Sequence, residues 1–279
     1  MRKKLLVSFL IIGFGLCSCA GPRSGSVNST EPKLVFTAKN FKDQNFMELV
    51  RKAGESQVVL MEFNQCNFSG ITTFSAVPNA YQSFPAGIFF KDCVFDGELN
   101  GGSISFLGQV DFGKCQFKKG VSFRNSFFLA PAGFRDCGFG GEAAFQNSLF
   151  LKESTWVGSF FYSYSLFQGA KFFENAQFQN ARFMANADFT QCRFLEGAIF
   201  DFCTASGKLD FSESRQDGLM TFRKSVLQKG MYMNRFRSFA PLRLLETQFE
   251  DSLYHRDFHS FAEKPELINN QGKAAPSEF

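Results

Sequence analysis

Residues 115–139 read CQFKKGVSFRNSFFLAPAGFRDCGF, a stretch in which one aromatic side chain recurs at almost constant spacing. The gaps between its regularly spaced rings alternate between six and five residues, at Phe117, Phe123, Phe128, Phe134 and Phe139. The spacing continues on both sides as two series with a period of 11. They are Phe112, Phe123, Phe134, Phe145, Trp156, Phe167, Phe178, Phe189, Phe200, Phe211, Phe222 and Phe84, Phe95, Phe106, Phe117, Phe128, Phe139, Phe150, Phe161, Phe172, Phe183, Phe194.

The composition supports a repeat protein, because 41 of the 279 residues are Phe while the chain has only one Trp and five Tyr. An 11-residue period is also typical of a right-handed coiled coil. On a helix, however, a five-residue step turns by about 140°, which would divide the rings between two stripes. A compact residue stands two positions before most rings, as at Ser126 and Ala132. This spacing places both residues on one face of a short strand.

Five consecutive units between Ala170 and Glu196 read AKFFE, AQFQN, ARFMA, ADFTQ and CRFLE, with single Asn residues between some of them. In this pattern the chain resembles the pentapeptide-repeat proteins over residues 61–253. The resemblance implies an all-β fold, a right-handed four-sided β-helix with the ring and the compact residue pointing inward. The alternating sixth residue departs from the family unit and predicts a coil of about 22 residues. We expect glycines at the coil corners, where a positive φ is useful.

A 22-residue coil predicts that cysteines stack on one side of the shaft, at Cys93, Cys115, Cys137 and Cys203. Cys66 joins them if Ser75–Ser83 contains an excursion of five residues. Neighbouring coils lie about 4.8 Å apart, which is within disulfide range, but parallel Cβ directions suit a disulfide poorly. Two interpretations stay open, buried compact side chains and disulfides among Cys66, Cys93, Cys115 and Cys137.

The N-terminus predicts export and lipid anchoring. Arg2, Lys3 and Lys4 precede the apolar run Leu5–Gly15, as in a signal peptide covering residues 1–18. The residues that follow this run, LCSC at Leu16–Cys19, resemble the lipobox of bacterial lipoproteins, which implies cleavage before Cys19 and its acylation, for example with palmitate. Ala20 in the next position implies sorting to the outer membrane by the same resemblance. Residues 19–33 are rich in Gly, Ser and Pro and predict a flexible tether.

The ends of the β-helix need caps. Residues 34–60 are predicted to form the N-terminal cap, with a helix over Asn40–Gly54. After Phe200 the ring columns weaken, because Ala205, Gln216 and Ser238 take ring positions. Residues 254–279 are therefore assigned to a C-terminal cap and a disordered tail that begins at Lys264.

The outward position after the ring is apolar on one side of the predicted shaft. These residues lie one predicted coil apart and have two apolar neighbours, which gives a strip of Leu107, Leu129, Leu151, Phe173, Leu195, Phe127 and Leu149. Soluble monomers seldom expose such a strip. We expect it to bind a second copy or another protein, with coverage by the chain's own ends and membrane contact as the alternatives. Phe160, Tyr162 and Tyr164 form a second aromatic cluster, either a binding patch or packing against a loop.

Few residues suggest catalysis or metal binding. The two histidines, His255 and His259, have the spacing of a zinc pair but lack the glutamate of HExxH. Asp111, Asp188, Asp201 and Asp210 fall at outward positions, where paired acids could act on sugars only within a groove. We therefore expect no enzymatic activity, no cofactor and no metal.

The charge of the mature chain argues against nucleic acid as a partner. Removal of Arg2, Lys3 and Lys4 from the 30 basic residues leaves 27, against 26 acidic ones. A nearly neutral body favours neither nucleic-acid binding nor an acidic surface that imitates DNA. The sequence predicts a membrane-anchored lipoprotein of the bacterial envelope whose rod is a structural or protein-interaction module. The alternative is a protein that binds or acts on polysaccharides through one side of the β-helix.

Overall fold

The computed structural model describes residues 33–52, 59–75, 77, 80–251, 253–254 and 260–272. Their strands form four parallel sheets, which we name A to D in the order in which the chain visits them. Each complete coil contributes one short strand to each sheet, and the next coil adds a strand beside it, whereas the incomplete coils at the two described ends contribute only to sheets A and B. The described residues therefore form a four-sided parallel β-solenoid, which confirms the predicted fold class.

Sheets A and B extend furthest along the solenoid and include the strands at both of its described ends. The strands of sheet A are Lys33–Thr37, Leu60–Asn64, Gly87–Lys91, Val110–Gly113, Ala132–Arg135, Ser154–Thr155, Ala176–Gln177, Ala198–Ile199, Met220–Arg223, Leu242–Leu245 and Glu266–Ile268. The strands of sheet B are Asn40–Lys42, Asn67–Ser69, Val94–Phe95, Gln116–Phe117, Gly138–Phe139, Phe160–Phe161, Arg182–Phe183, Thr204–Ala205, Val226–Leu227, Gln248–Phe249 and Gln271–Gly272.

Sheets C and D complete the coil. The strands of sheet C are Thr72–Thr73, Leu99–Asn100, Val121–Ser122, Ala143–Ala144, Ser165–Leu166, Ala187–Asp188, Leu209–Asp210, Met231–Tyr232 and Leu253–Tyr254. The strands of sheet D are Gln82–Phe84, Ile104–Phe106, Phe127–Phe128, Leu149–Phe150, Lys171–Phe172, Arg193–Phe194, Arg215–Gln216, Arg237–Ser238 and Ser260–Phe261. Within the described residues one helix, α1 (Phe46–Lys52), interrupts the first coil.

The strand register has the constant coil length that the ring spacing predicts. Phe112 pairs with Phe134, and their rings stack with centroids 5.3 Å apart. The first full coil is longer, because Phe63 pairs with Phe90 and the contact between the Cys66 amide and Cys93 spans 27 residues. Gln82 already pairs with Ile104 at the ordinary offset. The five additional residues therefore lie in the predicted excursion.

The shaft is filled with rings that stack along each side and meet edge to face across the corners. Phe178 lies fully buried between Trp156 and Phe200, with centroids 4.8 and 4.7 Å away. It also meets Phe189 on the next side at 5.3 Å and 87°. Such pairs add about 0.5–1.5 kcal/mol each to the area that they bury. Each coil thus gains stability mainly from its neighbours.

The compact inward residues close the corners with hydrogen bonds. Cys137 Sγ donates to the carbonyl oxygen of Phe112 at 3.1 Å, and Ser225 Oγ donates to that of Phe200 at 2.7 Å. Both bonds span 25 residues, and thiols and hydroxyls use the same geometry. The six cysteines in the described part of the chain are free and buried, at Cys66, Cys93, Cys115, Cys137, Cys192 and Cys203. The structure thus favours compact buried side chains over disulfides at these positions.

Most corner residues with a positive φ are not glycines, contrary to our expectation. After sheets A and C, the residue two positions beyond the ring has a positive φ. Only Gly158 and Gly169 are glycines in a series that includes Asp92, Ser103, Lys114, Asn125, Asp136, Asn147, Asn180, Gln191, Phe202, Glu213, Lys224, Arg235 and Glu246. Because a left-handed conformation costs an ordinary residue about 1–2 kcal/mol, the stacked coils must hold these corners in place.

Both ends of the solenoid differ from the prediction. The predicted helix over Asn40–Gly54 is shorter, because Asn40–Lys42 pairs with Asn67–Ser69 as a strand of sheet B. The predicted disordered tail is wrong over 266–272, where two strands continue sheets A and B. Leu244 pairs with Leu267, so one additional residue displaces the last coil from the pattern of the preceding ones.

The buried thiols predict a pH dependence of stability. Burial raises the pKa values of Cys192 and Cys203, so both thiols stay protonated in the folded state. The unfolded chain releases these protons above about pH 8.5. Their contribution to stability is thus complete below about pH 8.5 and is lost as pH rises toward the folded-state pKa. We expect the free energy of unfolding to fall by up to about 1.4 kcal/mol per pH unit for each thiol.

Denaturant unfolding between pH 7 and 10 checks this prediction. Cys192→Ser and Cys203→Ser together should flatten the dependence of the free energy of unfolding on pH, because they remove two titrating thiols. The fold should accept both changes, since Ser214 and Ser225 already make the same corner bond one coil later. Equal slopes for the wild type and the double variant would contradict it.

Candidate interaction surfaces

The predicted apolar strip lies on the outer side of sheet D and the corner that follows it. Phe127 and Leu149 are paired neighbours on this sheet, and both are half-buried. Leu107, Leu129 and Phe173 keep 48%, 39% and 38% of their surface exposed. The remaining two members, Leu151 and Leu195, are half-buried. The constant strand register therefore aligns the predicted residues along one side of the solenoid.

The strip has a distinct composition at each end. Tyr81, from the excursion of the first full coil, is 66% exposed and places its ring 6.1 Å from that of Phe127. Toward the C-terminus the outward column of sheet D turns basic, at Lys171, Arg193, Arg215 and Arg237. The surface thus runs from aromatic and aliphatic to cationic.

Part of this basic column is neutralised. Asp217 lies 2.6 Å from Arg215 and 3.2 Å from Arg193. The hydrogen bond from Arg215 lowers the pKa of Asp217. The Arg215 guanidinium also lies over the exposed ring of Phe239, 4.2 Å from its centroid. These contacts hold the end of the strip in a defined arrangement.

The second aromatic cluster lies partly at the surface. The rings of Phe160 and Tyr162 stack with centroids 4.3 Å apart, and Arg182 lies 5.6 Å from the Phe160 centroid. Tyr162 and Tyr164 are 58% and 52% exposed. Both tyrosines keep more than half of their surface exposed, so packing against a loop of the described part of the chain does not explain them.

The four aspartates considered in the sequence analysis separate into two groups. Asp111 and Asp201 belong to the sheet A side, where Arg135 and Arg223 lie beside them. Burial raises the pKa of Asp111, and Arg135 partly offsets this effect. Asp188 and Asp210 instead pair in adjacent strands of sheet C. Of the four, the structure thus brings together only Asp188 and Asp210, and their equivalent positions in successive coils were the sequence signal for this pairing.

The remaining candidates lie outside the described residues. They are Cys19, the predicted lipidation site, and the histidine pair His255 and His259. Among the residues that the structure describes, no three His, Cys, Asp or Glu side chains meet in a way that could hold a metal ion. No described helix is long and apolar enough to cross a membrane.

Comparison with known proteins identifies the repeat. Residues 167–215 match the family model for pentapeptide repeats in nine copies. This segment consists of pentapeptide repeats. The match confirms the resemblance over that range, and the same strand register extends the repeat architecture on both sides of it.

A solved structure of trypsin-treated QnrB1, a plasmid-mediated fluoroquinolone resistance protein, is similar to part of this chain. The alignment covers 68% of this chain and 92% of that one, with 15% identity and a TM-score of 0.19. No curated protein matches the sequence. The fold assignment therefore rests on the pentapeptide repeats and on the strand register.

Proposed function

We propose that this protein is a lipid-anchored, non-enzymatic component of the bacterial cell envelope whose solenoid presents the apolar strip to a protein partner. The proposed interaction rests on one observation, the apolar strip. It brings exposed leucine and phenylalanine side chains together on one side of a rigid scaffold, with Tyr81 beside one end. Clustered exposure of this kind marks binding surfaces more often than isolated apolar residues do.

The architecture suits a binding scaffold. Neighbouring coils are joined by backbone hydrogen bonds and stacked rings, so the outward side chains keep fixed separations. A partner therefore meets a surface that loses little conformational freedom on binding, which favours affinity. The sequence features around Cys19 support attachment to the outer membrane through acyl chains, with residues 19–33 as a tether.

The strip predicts self-association when the mature chain is isolated from other proteins. We expect the lipid-free chain from Ala20 onward to sediment above the monomer mass at tens of micromolar. Replacing Leu129, Leu151 and Phe173 with Ser should return it to the monomer, because the polar side chains remove the apolar area that association buries. Analytical ultracentrifugation gives the mass, and circular dichroism checks that the solenoid is intact.

The chain offers a matched control away from the strip. Ile71, Tyr162 and Met184 are also exposed, at 61%, 58% and 47%, and lie on other sides or corners. Replacing these three with Ser should leave the association unchanged. A monomeric wild type, or equal losses in both triple variants, would contradict the interaction part of the proposal.

A further inference from the structure

The outer side of sheet C differs from the apolar strip because it is polar along most of its length. Its middle column runs through Ser122, Ala144, Leu166, Asp188, Asp210 and Tyr232 in paired register. The next column, one residue beyond the rings, contains amides and hydroxyls over several coils. Its members are Arg124, Gln146, Gln168, Thr190, Ser212 and Asn234. We call this surface the polar face.

A shallow groove of about 250 Å³ lies on the polar face. It is lined by Tyr164, Leu166, Asn186, Ala187, Asp188, Lys208 and Asp210. One wall follows the corner before sheet C, and the other follows the middle column of the sheet. Backbone bonds between successive coils hold both walls in the same register, so the groove is built into the fold.

Each of the two carboxylates in the groove is oriented by a backbone hydrogen bond to one oxygen and keeps its other oxygen available. Asp188 Oδ1 accepts a hydrogen bond from the Thr190 amide at 2.8 Å, and Asp210 Oδ1 accepts one from the Ser212 amide at 2.9 Å. Within the described part of the chain, the second oxygen of each carboxylate has no hydrogen bond or ion pair. Two free acceptors therefore stand one coil apart, about 4.8 Å along the solenoid.

Aromatic side chains border this polar centre. Tyr164 is 52% exposed at one end, and Tyr232 follows Asp210 by one coil at the other. Lys208 Nζ lies 4.7 Å from the Tyr232 ring centroid, so the ammonium rests on the aromatic face. Asn186 uses its Oδ1 to accept the Lys208 amide at 3.0 Å, which leaves its amide nitrogen as a donor. The groove thus combines acceptors, donors and ring faces within three coils.

This combination fits a carbohydrate. A pyranose presents hydroxyls around its edge, which carboxylate and amide groups can bind in pairs, and C–H bonds on its faces, which aromatic rings attract. Two carboxylates disfavour an acidic chain, while Lys208 disfavours a strongly cationic one. We propose that the groove binds a neutral carbohydrate chain laid along the polar face, with Asp188 and Asp210 accepting its hydroxyls and Tyr164 contacting a sugar face. The inference is independent of the apolar strip.

Isothermal titration calorimetry on the full chain in detergent tests the site. The probes are cello-, malto-, xylo- and chitohexaose, with a polygalacturonate hexamer as the acidic comparison. We expect at least one neutral hexamer to bind, and the acidic hexamer to bind at least about tenfold more weakly. Asp188→Asn with Asp210→Asn, and separately Tyr164→Ala, should each weaken binding by about tenfold or more.

Tyr162→Ala is the matched control, because Tyr162 is similarly exposed two residues away but does not line the groove. It should leave the affinity unchanged. Wild-type circular dichroism in each variant separates loss of binding from loss of fold. The proposal is overturned if no neutral hexamer binds at millimolar concentration, if the acidic hexamer binds best, or if the groove variants bind as the wild type does.

Discussion

Trp156→Ala is expected to lower the free energy of unfolding by about 3–5 kcal/mol, the usual cost of removing a large aromatic side chain from a core. Trp156 is fully buried and lies between Phe134 and Phe178, with centroids 5.6 and 4.8 Å away. It also meets Phe145 and Phe167 edge to face. The cavity cannot close by local collapse, because backbone bonds fix the coils on either side. Denaturant unfolding followed by far-ultraviolet circular dichroism measures the loss.

Trp156→Phe is the control that separates ring size from ring presence. The indole Nε1 is buried without a hydrogen-bond partner among the described residues. Phenylalanine removes this unsatisfied donor and restores the residue used at the neighbouring positions of the column. We therefore expect the free energy of unfolding of this variant to lie between the wild-type value and about 1 kcal/mol above it. If alanine cost less than about 1 kcal/mol, the stacked column would not be the main source of stability.

Cys19→Ala is expected to abolish lipid incorporation and to remove the chain from the outer-membrane fraction. The chain beyond the predicted signal peptide is nearly neutral, so it has no electrostatic attraction to an anionic surface that could replace the proposed acyl chains. Metabolic labelling with an alkyne analogue of palmitate, followed by membrane fractionation, measures both effects. The wild type should carry the label in the outer-membrane fraction, whereas the variant should carry no label and be absent from that fraction.

Cys17→Ala provides the matched control two residues earlier. It places a small side chain before the cut, where lipobox sequences ordinarily have one, so the label should be retained or increased. Label on the Cys19→Ala chain, or its disappearance only in Cys17→Ala, would disprove lipidation at Cys19.

The central coils were predictable because one residue type occupies one structural role. A ring every five or six residues defined the sides, the strand alternation and the length of the coil. The longer offset between Cys66 and Cys93 could also be predicted, since the compact column continues only if the excursion is inserted. The apolar strip followed from the same periodicity.

The first coil was missed although its signal was present. Phe36 and Phe41 are five residues apart and stack on Phe63 and Phe68, with centroids 4.9 and 5.0 Å away. Helix α1 then occupies the coil after only two strands, and Phe46 inserts against Phe63 and Phe90. The helix begins only a few residues after the strand Asn40–Lys42, so the sequence pattern hides the boundary between the strand and the helix.

The groove on the polar face could not be predicted from rings alone. Its residues are outward, of several chemical types, and come from different coils. Asp188 and Asp210 share one position of the repeat, but only the register shows that Tyr164, Asn186 and Lys208 stand beside them on the preceding corner. Inward positions repeat because packing demands it, whereas outward positions are free to vary with function.

The constant offset between paired strands also restricts how this protein can change in length. Insertion or deletion of one complete coil lengthens or shortens the solenoid by one level and leaves every later side chain stacked on an equivalent neighbour. Any other length would move the remaining residues out of register, unless it is taken up between strands as the five-residue excursion and the single additional residue of the last coil are. Variants of this scaffold should therefore differ in length mainly by complete coils.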